Sequence, residues 1–159
     1  MKTIFKLMTL FLLFVGFTAC SDDDEPVVEQ LEVTPANLNG TWKLVEWNGE
    51  ALSDDCYCYI TFSRKDRTYK MYDKFSSMYP TLKTGSFDIT VERNLGYVIS
   101  GNYDFGNGTW ANKYIVSDLL ATVTMVWTVK DNANDVQKFE RCDKVPSEIV
   151  DEARPYSLQ

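Results

Sequence analysis

The stretch "LATVTMVWTV", Leu120 to Val129, admits only one regular reading. Ala121, Val123, Met125, Trp127 and Val129 fall on one side of a two-residue period, opposite a row of threonines. Side chains alternate across an extended chain and would scatter around a helix. One apolar face against one hydroxyl face describes a strand with a single buried side. The pattern recurs upstream. In "GSFDITV", Phe87, Ile89 and Val91 oppose Ser86, Asp88 and Thr90. In "YITF", Ile60 and Phe62 oppose Tyr59 and Thr61.

Extending this reading predicts eight strands, bounded by turn residues: 40–47, 56–64, 67–75, 83–92, 96–103, 113–116, 120–130 and 135–142. The connections carry topology. "RKDR", "RNLG" and "VSDL" are tight, whereas "NGEALSDD", "SSMYPT" and "DFGNGTWAN" are long. Short and long connections alternate, so an up-and-down meander would be tightly sewn at one end and carry its long loops at the other. Closing such a meander removes both exposed edges. An all-β, eight-stranded up-and-down antiparallel barrel is therefore expected, with room for its own side chains or one small ligand. After it, "VPSEIVDEARP" predicts a short helical turn on the outside, with Ser147 as N-cap and Pro155 as its stop.

"LNGTWKLVEWNG" resembles the first strand of lipocalin-like domains, whose mark is Gly-x-Trp, here Gly40-Thr41-Trp42. The resemblance spans Leu38 to about Cys142 and implies the same eight-stranded barrel (calycin type). It further implies that Trp42 plugs the closed end and that a cation from the last strand, Arg141 in "KFERC", lies over it.

The first residues bear on location. Lys2 and Lys6 precede an apolar run, Leu7 to Phe17, too short to span a bilayer. "FTAC" resembles the lipobox of bacterial lipoproteins, which implies a signal peptide over 1–19 and acylation of Cys20. The block Ser21-Asp22-Asp23-Asp24-Glu25 stays solvated. It resembles the acidic signal that sends lipoproteins of Bacteroides-type Gram-negative bacteria to the outer face of the outer membrane. The implied order is a lipid-anchored acidic linker over 20–37, with Pro26 and Pro35 against regular structure, a barrel over 38–145 and a helical tail over 146–159.

Charge and composition exclude several functions. The chain has 16 Lys and Arg against 23 Asp and Glu, a net −7 that becomes −9 without Lys2 and Lys6. From Asn37 to Pro146 there are 13 basic and 14 acidic residues. The folded part is thus near neutral, with no basic patch to track a phosphate backbone, which argues against nucleic acid as partner. Without histidine the chain lacks the commonest general base and metal ligand. Asp54-Asp55 and the Asp131–Asp135 run read as turns rather than catalytic or calcium sites. Asn39-Gly40-Thr41 and Asn107-Gly108-Thr109 also read as turns. Cys56 and Cys58 fall on the face of Ile60 and Phe62 and read as packed free thiols. A bridge from either to Cys142 is not expected, because the strand order sets them at opposite ends.

No enzyme, catalytic residue, metal or cofactor is expected. The expectation is a surface lipoprotein whose barrel binds a small apolar or aromatic molecule. Trp127, Met125, Phe87, Tyr69, Met71, Tyr97 and Tyr114 are the interior candidates, and Trp110 and Tyr103 stand at the mouth beside Tyr79. The alternative is a filled barrel whose loops engage a protein or a glycan in a surface complex. The partners implied are a membrane, through the lipid anchor, and one of these ligands.

Overall fold

The computed structural model describes residues 29–156 apart from Ser76, Asn107 and Thr122; Cys20 and the acidic block lie outside the described residues. Alternation becomes register over β1 (Gly40–Trp47), β3 (Tyr57–Ser63), β4 (Thr68–Lys74), β5 (Thr81–Glu92), β6 (Gly96–Tyr103), β7 (Tyr114–Ser117), β8 (Thr124–Val129) and β9 (Asn132–Cys142). Each pairs antiparallel with the next, and β9 returns to β1 through Trp42↔Arg141 and Leu44↔Phe139. The result is a closed eight-stranded antiparallel barrel with a short helix near the C-terminus. Closure leaves no long edge to recruit another chain.

The inner faces of all the longer strands meet in one core. Ile60, Phe62, Ile99, Met125 and Phe139 are almost fully buried, and Trp127 sits among them. The turns β3–β4 and β5–β6 lie at the Trp42 end, as the loop rhythm predicts; β7–β8 lies there too but is longer, and the β8–β9 connection is a two-residue turn at the opposite end. Arg67, Asn94, Gly96 and Asp118 take positive φ at the Trp42 end.

The expected linker contributes more than spacing. Residues 29–31 run against 119–121, with Leu31 N–H donating to Leu119 O at 2.7 Å and Ala121 N–H to Glu29 O at 2.8 Å. Pro35 does not block structure but opens the one-turn helix α1 (Pro35–Leu38), where its missing N–H costs nothing. The Thr34 hydroxyl caps it by accepting from Asn37 N–H at 3.2 Å. Leu38 and Val33 are buried by this segment.

Four local expectations are corrected. The seventh long strand begins at Thr124, because residues 119–121 are engaged by the incoming chain; Val123 is 47% exposed instead of inward. Val91 is 74% exposed, since β5 outruns the core. The connection from Asn48 is not a plain loop. Asn48 and Gly49 both take positive φ and fold β2 (Glu50–Ala51) back on β1 as a lip, as an Asn-Gly hairpin turn does. In α2 (Ser147–Glu152) Pro146, not Ser147, occupies the cap position, and no side chain caps the helix.

Beyond α2, β10 (Arg154–Pro155) pairs parallel with Thr81 and Leu82. That part of β5 extends past its pairing with β6, which starts at Gly85↔Tyr103. The C-terminal strand covers this open edge, with Tyr156 N–H donating to Leu82 O at 2.8 Å.

Candidate functional site

At the sewn end Trp42 is fully buried and donates from Nε1 to Leu38 O at 2.8 Å. The Arg141 guanidinium lies over its ring, 4.3 Å from the centroid. Arg141 also donates to the carbonyls of Asn39 at 2.7 Å and Asn37 at 2.8 Å. One side chain thereby ties the last strand, the plug and the entering chain together.

Above the plug most of the lumen is filled by rings. Trp127 is central: Phe139, Tyr114, Trp110 and Phe62 lie at centroid distances of 4.9, 5.0, 5.6 and 6.2 Å. Phe62 meets Phe87 edge-on at 4.9 Å. Two strand glycines make this packing possible. A Cβ on Gly101 would collide with the Trp110 indole, and one on Gly85 would collide with the Asn102 carbonyl on β6 and crowd Tyr69.

A cavity of about 120 Å³ remains at the end of the long loops, where Trp47 and Phe75 form the rim and Trp127 and Phe139 the floor. Trp47 meets Phe75 edge-on at 5.4 Å and is held by a 2.8 Å hydrogen bond from Nε1 to Asp135. Polar groups face the cavity from two sides. Asp73 of β4 and Lys83 of β5 form an ion pair at 2.7 Å, Gln137 of β9 lies across from them, and Cys58 of β3 sits in register with Asp73. Burial pushes the Asp73 carboxyl up, partly offset by Lys83. Burial pulls Lys83 down, but Asp73 outweighs it and holds the ammonium above its usual value. Burial, then Asp73, pushes the Cys58 thiol up, so it stays protonated.

The expected site residues divide accordingly. Trp127, Met71 and Tyr114 line the cavity. Met125, Phe87 and Tyr69 are buried filler; Tyr69 packs on Trp110 at 5.0 Å. Trp110 is no gate at the mouth. It is 7% exposed and folds into the lumen, because Gly101 leaves it room. Tyr97 belongs to the sewn end, where its hydroxyl donates to Glu32 at 3.0 Å. Tyr103 packs on Tyr156 at 6.0 Å, and Tyr79 is an exposed ring with the Arg154 guanidinium 3.4 Å from its centroid. Asp54 and Asp55 lie in an exposed turn. Cys56, Cys58 and Cys142 are free thiols. Cys142 pairs with Thr41 near the sewn end, whereas Cys58 lies by the mouth.

The inward polar groups Asp73, Lys83 and Gln137 are not among the residues the sequence reading singled out, though parity signals them. Asp73 follows Met71 by two, Lys83 precedes Phe87 by four and Gln137 precedes Phe139 by two, so all three share an inward face. A larger groove of about 300 Å³ lies outside the barrel beneath the β2 lip, between Lys43, Asp54 and Tyr57. It has few convergent buried groups, and the lumen cavity is the better site by that measure.

A family model described as the lipocalin-like domain matches residues 38–127, more than half of the chain, and the protein belongs to that family. No curated protein and no solved structure matches the chain.

Proposed function

We propose that this lipocalin-like domain is a non-enzymatic binding protein that holds one small aromatic molecule in the lumen cavity. The observation that carries the reading is a void beside the Trp127 ring, under a rim of two half-exposed aromatics. An apolar cavity of ~150 Å³ accepts a benzene ring; about 120 Å³ open at its rim is of that order, enough for a single ring that reaches the mouth and too small for an acyl chain. Stacking on Trp127 and Phe139 supplies the contact, and Trp47 and Phe75 shield the guest from water. In the same proposal the protein is a lipoprotein of a Bacteroides-type bacterium, acylated at Cys20 and displayed on the outer membrane with its long loops outward. The lipobox-like "FTAC" and the acidic run Ser21–Glu25 support this.

Titration with one-ring compounds, read by tryptophan emission, tests the binding. Trp127→Phe is the fitting variant, because it keeps the packing that alanine would remove. Saturable quenching that shrinks in Trp127→Phe is expected; no binding by any ring would end this reading. Fatty-acid labelling of cells should mark the wild type and not Cys20→Ser. Protease added to whole cells should cut the loops; cutting only after outer-membrane rupture would place the protein in the periplasm.

One observation favours a second reading. Most of the lumen is occupied by the chain's own rings, and Met78 and Tyr79 stand exposed on a mouth loop at 80% and 42%. A filled barrel that presents this loop to a protein or glycan accounts for both. It would be supported if no ring binds while a Met78→Ser, Tyr79→Ser variant loses a surface partner.

A further inference from the structure

Asp73 and Lys83 are more polar than a barrel interior needs. Their side chains are only 11% and 21% exposed. Removing two ions from water costs several kcal/mol each, and apolar residues of similar size often serve stability better. A pair kept in such a place has a use beyond packing as its simplest account. It also has unspent capacity. An ammonium carries three donors, and a carboxylate accepts at about four positions. Among the described residues the ammonium of Lys83 is paired only with the Asp73 carboxylate; the Tyr156 ring lies 5.3 Å away, and the Tyr103 hydroxyl and the Cys58 thiol feel its charge.

We propose that the Asp73–Lys83 pair is the recognition edge of the cavity, selecting an uncharged planar ring that carries adjacent N–H and C=O groups. The inference rests on the lumen-binding reading above. Geometry supplies the first argument. The donor and acceptor stand 2.7 Å apart on neighbouring strands. That separation is similar to the spacing of N–H and C=O along a cis-lactam edge. The ring N–H donates to the carboxylate and the ring carbonyl accepts from the ammonium, while the ring face lies on Trp127.

Charge supplies the second. The pair sums to zero, and every other side chain lining the cavity is uncharged. A carboxylate ligand would leave one negative charge unbalanced in a poorly solvated site, and a cation one positive charge. A neutral donor–acceptor edge leaves the balance intact. Gln137, 9% exposed on the opposite wall, can donate or accept for a further ring substituent. Size supplies the third, since the void takes one ring.

The full chain is titrated by calorimetry with 2-pyridone, toluene and benzoate, three rings of similar size. Hydrogen bonds to charged groups set the expected gap: 2-pyridone should bind about tenfold or more tighter than toluene, with benzoate weaker than 2-pyridone. The gap between 2-pyridone and toluene should close in Lys83→Met and in the isosteric Asp73→Asn. Circular dichroism checks each fold, and the wild-type ranking stands if either variant fails to fold. Equal binding of toluene and 2-pyridone, or a gap that survives in both variants, overturns the recognition edge but leaves the aromatic cavity in place. Benzoate binding tightest, and tighter still in Asp73→Asn, overturns it in favour of an anion site. Failure of all three rings removes the cavity reading itself.

Discussion

Gly101 and Trp110 occupy one volume: the indole of Trp110, carried on the loop after β6, fills the space that a side chain at 101 would take. Gly101→Ala therefore sets a methyl group against the ring. Overpacking of this kind costs about 1–3 kcal/mol. The urea midpoint should fall and the tryptophan emission should shift to the red as the indole moves toward water. An unchanged midpoint with unshifted emission would show that Trp110 does not pack there.

Removing the ring is a different experiment. Trp110 lies 5.0 Å from Tyr69 and 5.6 Å from Trp127 by ring centroid. Trp110→Ala leaves a void between them and should cost about 3–5 kcal/mol. The void adjoins Trp127, so the enlarged lumen should admit a two-ring compound such as naphthalene that the parent protein rejects. Loss of stability without this gain would mean that the loop collapses into the gap.

At the sewn end, Arg141 combines a cation over Trp42 with two hydrogen bonds to backbone carbonyls. Lysine keeps the charge but loses the planar fork, so it cannot reproduce all three contacts. Arg141→Lys should lower stability by about 1–3 kcal/mol, read from urea unfolding. Amide exchange at Leu31 and Ala121 should quicken as well, because the segment 29–38 loses its tie to β9. A lysine variant as stable as the parent would reduce Arg141 to an ordinary surface cation.

The barrel was legible because its signals are redundant. Every long strand repeats the same parity, and the connections β3–β4, β5–β6 and β7–β8 fall at the sewn end, although the two-residue turns at Asn48-Gly49 and Lys130-Asp131 lie at the other. Where the reading failed, tertiary context overrode a local rule. Val123 continues the alternation of "LATVTMVWTV" yet is exposed, because residues 119–121 bond to 29–31. Trp110 reads as a loop aromatic, and only the hole at Gly101 draws it inward. Pro35 reads as a breaker although it suits the first turn of a helix. The ion pair is hard to read because charged side chains on a strand mostly face water, whereas parity sets Asp73 and Lys83 inward.

The buried titratable groups set how the fold responds to alkali. Burial raises Tyr59, Tyr69, Tyr103 and Tyr114 above the ordinary 10.0. Burial likewise raises Cys58 above 9.0. Lys83, pulled down by burial but held by Asp73, ends above 10.5. In each case the folded chain retains a proton that the unfolded chain releases, so stability falls as pH rises. These contributions are complete below the unfolded values and are lost upward from about pH 9, as thiols, then phenols, then the ammonium titrate in the unfolded chain. Without histidine, no imidazole titrates near neutrality to tilt the plateau. The urea midpoint should accordingly be nearly level from pH 6.5 to 8 and drop steeply between about pH 9 and 11. Tyr69→Phe keeps the ring but removes one shielded phenol, and its profile should fall less steeply over that range. A midpoint unchanged up to about pH 10.5, or a Tyr69→Phe profile parallel to that of the parent, would contradict the burial of these phenols, Tyr59 under the outer groove and the others within the barrel.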